Sequence, residues 1–202
     1  AKLGTDGQVF TSTGAGLSQG FEAVAAGGAW TFLQEVTASD DATILVGNST
    51  LFSTTYEVYK IFYNRLVPIT DSVDGNIRLS VGGSVQTGSY KYAYKRMYGG
   101  GGSPTNVVST SATQLDQFLG NSMSGDADHG SWGEVTLIDP ASTAFHKQIL
   151  SQAVAFDASA NAFWSYGSGL YLSTSIIDGV QFFFDSGNVD TGTFRLYGLA
   201  TS

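Results

Sequence analysis

The strongest constraint on the fold is the alternation of apolar residues within residues 176–200. Val180, Phe182 and Phe184 fall on one face of an extended strand, with Gln181 and Phe183 on the other. Residues 185–188, Asp-Ser-Gly-Asn, then supply turn chemistry, because Gly and Asn tolerate positive φ and Asp and Ser bond their own backbone. A second apolar strand follows. The pattern predicts a hairpin whose strands lie in the centre of a sheet.

The rest of the chain repeats this pattern of short strands and polar turns. Residues 56–67 form the longest strand candidate, since aromatic and β-branched residues suit a pleated surface, and residues 90–98 alternate strictly. Residues 144–157 fit a helix by composition, but their β-like flanks favour a strand. Residues 105–131 are the least defined. Roughly ten short strands with Gly, Asp, Asn and Ser turns predict an all-β, antiparallel, jelly-roll-like β-sandwich.

The first twenty residues differ from the rest in being rich in Gly, Ser and Thr. Their apolar residues are few: Leu3, Val9, Phe10 and Leu17. One interpretation is a loosely ordered terminus, and the other is a docking arm that orders on a neighbouring subunit. Because 202 residues suit one all-β domain and no linker divides the chain, we expect a docking arm at 1–20 and a single β-sandwich domain at 21–202.

Charge and composition narrow the possible functions. The net charge of −8 argues against nucleic-acid binding, which needs Lys and Arg to replace counterions. No cysteine is present for a disulfide or a thiolate metal site. No apolar run approaches the ~20 residues that span a bilayer, and no signal-peptide pattern is visible. We therefore expect synthesis in the cytoplasm, no membrane insertion and no nucleic-acid partner.

Candidate ligands for a metal or a catalytic reaction are sparse. Asp126, Asp128 and His129 are close in sequence but lack the further ligands of a calcium loop, so a solvated loop is the favoured interpretation. Ser168 does not have the spacing of a nucleophile elbow. The acids that a glycosidase pair would draw on are Glu35, Asp40, Asp41, Glu57 and Glu134. Since the sequence cannot pair them, we expect no enzyme activity, catalytic residue, cofactor or metal.

Tyrosines and basic residues are interleaved between residues 56 and 98. The candidate interaction surface comprises Tyr56, Lys60, Arg65, Tyr90, Lys91, Tyr92, Tyr94, Lys95, Arg96 and Tyr98. Tyrosine supplies rigid apolar area and a hydroxyl, and basic groups pair with carboxylates or phosphates, so the set suits a protein contact or a glycan site. The alternative is cross-strand packing on a solvated sheet.

Two stretches resemble a group of bacteriophage structural proteins. Residues 185–198, DSGNVDTGTFRLYG, are similar to that group's C-terminal motif SGN-x-x-x-G-x-x-RLYG, and residues 56–68, YEVYKIFYNRLVP, are similar to one of its strands. The resemblance implies a jelly-roll-like domain on the virion, assembled in the host cytoplasm, and a homotrimer.

The function that we expect is that of a non-enzymatic virion structural protein. It would be exposed on the particle and would dock on capsid or tail through its N-terminal arm, as a decoration or fibre-type component. The alternative is a receptor-binding tail protein that recognises a host surface glycan or envelope protein. Copy number in the particle separates the two.

Overall fold

The computed structural model describes residues 8–11, 20–23, 29–101 and 103–200. The strands within these ranges are β1 (Gln8–Thr11), β2 (Gly20–Ala23), β3 (Trp30–Asp41), β4 (Ile44–Val46), β5 (Tyr56–Pro68), β6 (Val73–Val81), β7 (Ser84–Val85), β8 (Tyr90–Tyr98), β9 (Thr105–Ala112), β10 (Leu115–Met123), β11 (Ser131–Ile138), β12 (Lys147–Phe156), β13 (Ala162–Tyr171), β14 (Gly179–Phe184) and β15 (Val189–Ala200).

Two antiparallel sheets pack face to face and confirm the predicted all-β sandwich. The larger has eight strands in the order β3-β15-β5-β11-β12-β13-β8-β9, and the smaller has the order β10-β6-β14-β4, with β7 paired to β6. Within the described residues, no helix is long and apolar enough to cross a membrane. The jelly-roll connectivity stays a prediction.

The core lies between the sheets and follows from strict alternation along the strands. On β12, residues 147, 149, 151, 153 and 155 are buried while their neighbours face outward. Phe182 of the smaller sheet meets Phe194 of the larger one, with ring centroids 4.8 Å apart. Each buried aromatic side chain contributes roughly 1.5–3 kcal/mol through area removed from water, so these inner faces hold the sheets together.

The last two strands are central, as predicted, but they do not form a hairpin. β14 lies between β6 and β4 in the smaller sheet, whereas β15 lies between β3 and β5 in the larger one. The turn at residues 185–188 therefore carries the chain from one sheet to the other. This arrangement lets the apolar faces of both strands pack against each other across the core, which an in-plane hairpin would prevent.

Other elements differ from the predictions in extent. Asp74 and Gly75 favour a turn over residues 71–76, yet β6 already begins at Val73, because Gly75 and Asn76 are buried beside the neighbouring strands. Residues 105–131 contain β9 and β10, and most of β9 is polar because it is the edge strand of its sheet. The choice of strand over helix for residues 144–157 is confirmed by β12.

At the N-terminus, β1 and β2 pair only with each other among the described residues. Val9 lies opposite Glu22 and Phe10 opposite Phe21. Leu3 and Leu17 lie outside the described residues, as do the side chains of Val9 and Phe10. The docking arm and its boundary at residue 20 therefore stay predictions.

Candidate functional site

The tyrosines of β8 point into the sandwich rather than out of it. Their predicted alternation is confirmed, but Tyr90, Tyr92 and Tyr94 are at most 8% exposed. The rings of Tyr92 and Tyr94 pack edge-on against Phe118 of the opposite sheet. Placing these three residues on an exposed interaction surface is therefore wrong, because β8 needs an apolar inner face to pack on β10.

The other seven residues of the predicted surface divide between different parts of the molecule. Lys91 and Lys95 lie on the outer face of β8, and Lys60 lies on the outer face of β5. Arg65 is exposed in an irregular part of β5, and Tyr56 packs against Tyr59. Two more, Arg96 and Tyr98, share the inner face of β8 with the tyrosines. The structure thus replaces one predicted surface by an inner cleft and an outer face.

The cleft lies where the two sheets separate at the edge strands β9 and β10. Its volume is about 400 Å³. The side chains that shape it come from β6, β8 and β10 and are Asp74, Tyr92, Tyr94, Arg96, Asp116 and Gln117. Most are polar, so this edge of the sandwich is a polar recess rather than core.

An irregularity in β10 produces the polar lining. Gln117 has a φ of 60°, and the register with β6 shifts between Leu115 and Gly120. As a result Asp116 and Gln117 both face the cleft, whereas the next two residues are both buried. A regular strand would send only every second residue to that side.

Hydrogen bonds from the tyrosines fix the carboxylate and amide of β10. The Tyr92 hydroxyl donates to Asp116 Oδ2 at 2.8 Å, and Gln114 Nε2 donates to Asp116 Oδ1 at 2.6 Å. The Tyr94 hydroxyl donates to Gln117 Oε1, which also accepts from Arg96 Nη1 at 3.2 Å. These contacts hold the polar groups of the cleft in one arrangement.

Asp74 joins the far side of the network. Its Oδ2 accepts from Gln117 Nε2 at 2.7 Å, and its Oδ1 accepts from Asn121 Nδ2 and the Ser122 amide, both at 2.8 Å. Arg96 Nε, in contrast, is buried and has no hydrogen-bond partner within the described residues. An unpaired buried donor costs free energy unless something else accepts from it.

The electrostatics of the cleft are mildly acidic. Asp74, Asp116 and Asp185 line it against one arginine, Arg96. Burial, together with the hydrogen bond to Asp116, raises the pKa of Tyr92. Burial raises the pKa of Tyr94 to about 12, although Arg96 opposes the rise. Both hydroxyls therefore stay protonated at neutral pH and act as neutral donors and acceptors.

The second candidate surface is the outer face of the eight-stranded sheet, which nothing in the described residues covers. Its exposed large apolar side chains include Trp30, Phe32, Val108, Trp132, Leu150 and Tyr166. The pairing of neighbouring strands places outward side chains in rows across the sheet. One such row runs from Trp132 through Val154 to Trp164. We call this surface the outer face.

Aromatic and charged contacts order the outer face. Lys60 Nζ lies 5.8 Å from the Trp30 ring centroid and 5.6 Å from that of Phe62, and 3.0 Å from Glu134 Oε1. Further along, the Trp164 and Tyr166 rings lie 4.8 Å apart. These contacts fix several side chains of the face, although Trp132 and Tyr166 each remain 47% exposed.

In the loop that carries Asp126, Asp128 and His129, the histidine contacts one carboxylate and one aromatic ring. His129 Nδ1 lies 3.5 Å from Asp126 Oδ2, and its ring stacks on Phe156 at 5.0 Å. Within the described ranges, no three His, Cys, Asp or Glu side chains gather closely enough to hold a metal ion.

Several residues of both surfaces were missed by the sequence analysis. Asp116 and Gln117 fell in the stretch that gave no clear pattern, because their shared orientation depends on an irregular strand. Trp132 and Tyr166 were not singled out, because alternation along a strand does not say which of its faces the second sheet covers. Nothing in the sequence pattern of residues 105–131 distinguishes Asp116, which lines the cleft, from Asp126 and Asp128, which do not.

Comparison with known proteins gives a distant structural likeness. No family model matches the sequence, and no curated protein matches it. Among solved structures, the chain is similar to the CBM2 module of the evolved Dit of Lactobacillus casei BL23 phage J-1, with 5% sequence identity and a TM-score of 0.26, over 82% of this chain and 75% of that chain. A likeness of this size carries no argument about function.

Proposed function

We propose that the chain is a non-enzymatic structural protein of a bacteriophage particle, which docks on another particle protein through its outer face. The observation that carries the proposal is the uncovered apolar surface of the eight-stranded sheet, with Trp132, Tyr166 and Val108 between 47% and 69% exposed. Large contiguous apolar patches on folded proteins mark interaction sites. The phage context rests on the resemblance of residues 56–68 and 185–198.

The dimensions of the outer face suit a specific interface. Eight strands about 4.8 Å apart make it roughly 34 Å wide, and the shortest strands, β9 and β11, make it roughly 26 Å long. The resulting area of roughly 900 Å² is comparable to the ~800 Å² that each partner contributes to a standard protein interface.

Charge favours a different protein over a second copy seated face to face. The outer face carries four basic side chains, Lys60, Lys91, Lys95 and Arg195, against Glu35 and Glu134. Lys60 and Arg195 pair with these two carboxylates, so Lys91 and Lys95 leave the face net positive on a chain whose net charge is −8. Two copies facing each other would place like charges together, whereas an apolar partner surface with acidic residues would be complementary.

The protein would thus lie on the virion, as expected from the resemblance, and the outer face would be its docking surface. The predicted arm at residues 1–20 would reinforce the contact, and trimerisation stays an expectation of the resemblance. Decoration and fibre-type roles both use such a surface and differ in copy number.

The test combines copy number with rebinding to particles. The chain is quantified by mass spectrometry in purified particles, and labelled protein is then added to particles assembled without it. We expect the wild-type chain to bind and the double variant Trp132→Ser, Tyr166→Ser to bind at least about tenfold more weakly, since large aromatic residues dominate interface energies.

Phe145→Ser is the matched control, because Phe145 is 68% exposed but lies in a loop away from the outer face. It should bind as the wild type does. Absence of the chain from particles, or unchanged binding of the double variant, contradicts the proposal. About one copy per capsid subunit indicates decoration, and a few copies indicate a tail component.

Receptor recognition through a host glycan is a second candidate function. The observation that favours it is the preorganised polar cleft between β9 and β10, which docking through the outer face leaves unused.

A further inference from the structure

We propose that the cleft at the β9–β10 edge is a binding site for a neutral sugar unit. The inference does not depend on docking through the outer face, since the two surfaces use different residues. It gives the second candidate function a defined site and a defined class of ligand.

The size of the cleft fits a small polar ligand. Its volume of about 400 Å³ lies within the ~300–1,000 Å³ typical of small-molecule sites. It opens between two edge strands, so a sugar at the end of a longer glycan could enter while the remainder stays in solvent. A deeper, closed cavity would admit only a free monosaccharide.

The cleft offers the mixture of groups that a sugar needs. Sugar hydroxyls both donate and accept hydrogen bonds, and here Asp116 and Asp185 supply acceptors while Arg96 and the amide of Gln114 supply donors. Arg96 Nε in particular is buried without a partner and would gain one from a hydroxyl oxygen. Val107 provides an apolar side wall for the C–H face of a sugar ring.

Charge selects against acidic ligands. Three carboxylates line the cleft against one guanidinium, so phosphates, uronic acids and sialic acids would be repelled. A metal ion is disfavoured because no three acidic or histidine side chains among the described residues converge on one point. A neutral pyranose meets neither obstacle.

The polar groups are already in place before a ligand arrives. Asp116 is held by Tyr92 and Gln114, and Gln117 is held between Arg96 and Asp74. Binding therefore orders few side chains, which reduces its entropic cost. One sugar ring on such a site should bind with a dissociation constant on the order of 1 mM.

The experiment is a titration of the whole ¹⁵N-labelled chain, followed by NMR, with glucose, galactose, mannose and N-acetylglucosamine in turn, and with glucuronate as the acidic comparison. At least one neutral sugar should shift the amide signals of residues 74–76 and 114–117, and glucuronate should shift them less. If no neutral sugar moves these signals, or if glucuronate binds as tightly, the inference is overturned.

Variants locate the site. Asp116→Asn and Asp185→Asn preserve shape but remove a charge, and each should weaken binding about tenfold, as expected for charge-assisted hydrogen bonds. Asp185 lies in an exposed turn, where its carboxylate accepts a hydrogen bond from the backbone amide of Asp74. The side-chain oxygen of an asparagine can accept the same bond, so we expect Asp185→Asn to fold. This second variant therefore still tests the site if Asp116→Asn fails to fold. Asp128→Asn, in another exposed loop, is the control and should bind normally.

The docking variant separates the two proposals. Trp132→Ser, Tyr166→Ser should lose particle binding yet keep sugar binding. If instead it loses sugar binding while Asp185→Asn and Asp116→Asn retain it, the sugar is bound by the outer face and the inference about the cleft is wrong.

Discussion

At the level of single residues, tyrosine on β8 serves the core and the cleft at the same time. The rings of Tyr92 and Tyr94 bury apolar area against Phe118, and their hydroxyls reach Asp116 and Gln117 at the recess. Phenylalanine would fill the same space but would remove one of the donors to Asp116 and one of the donors to Gln117. The choice of tyrosine thus links packing between the sheets to the arrangement of the polar groups.

Buried tyrosines predict a loss of stability at high pH. Burial raises the pKa of Tyr90 and of Tyr94 to about 12, against about 10 in an unfolded chain. Because the folded state holds these protons more tightly, their contribution is complete below pH 10 and is lost as the pH rises towards 12. Urea unfolding at several pH values, with phenolate absorbance, should show this fall.

The control for this titration is the urea-unfolded chain, in which all tyrosines should ionise near pH 10. A folded chain whose buried tyrosines ionise in the same range, with no loss of stability between pH 10 and pH 12, would contradict the burial of β8.

At the level of elements, β14 shows how one strand serves two environments. Phe182 is fully buried against Phe194, whereas Phe183 points to the other side of the sheet, where Arg78 lies 4.4 Å over its ring. The two neighbouring phenylalanines therefore provide a matched pair. They differ in burial but not in side-chain chemistry or position along the strand.

Phe182→Ala should lower the free energy of unfolding by about 3–5 kcal/mol, because it removes a buried ring and leaves a cavity. Phe183→Ala should cost only about 1 kcal/mol, mainly from the lost contact with Arg78. Urea unfolding of both variants, compared at equal m-values, measures the difference. Equal losses would mean that β14 is not oriented as described.

The sequence predicted these element faces well and their partners poorly. Alternation placed Val180, Phe182 and Phe184 on one buried face, and it grouped the tyrosines of β8 correctly. It could not show that β14 and β15 join opposite sheets, because a turn such as 185–188 fits a hairpin and a sandwich corner equally. It also missed β10, whose positive φ at Gln117 breaks the period of two.

At the level of the whole molecule, the sandwich presents two surfaces of opposite character. The outer face of the larger sheet is broad, aromatic and locally basic, and the cleft at the β9–β10 edge is narrow, polar and acidic. Since the strands of both sheets lie within residues 30–200, neither surface needs the N-terminal residues for its own geometry.

Removal of residues 1–17 should therefore leave a folded sandwich. We expect the truncated chain to keep its circular dichroism spectrum and its sugar binding, and to bind particles more weakly if the arm contributes to docking. Thermal unfolding of both forms checks the first expectation. A truncated chain that fails to fold would show that these residues belong to the sandwich, contrary to the predicted domain boundary.

The position of β15 between β3 and β5 also governs how the protein is made. Arg195 pairs with Glu35, 160 positions earlier. At ~5–20 residues per second, a ribosome needs roughly 8–32 s to reach β15 after β3 has emerged. During that interval β3 lacks its neighbour in the larger sheet and leaves an unpaired edge open to other chains. The larger sheet can therefore be completed only after residues 189–200 have been synthesised. Nascent chains that lie close together on one messenger RNA are then the form of the protein with the greatest need of a chaperone.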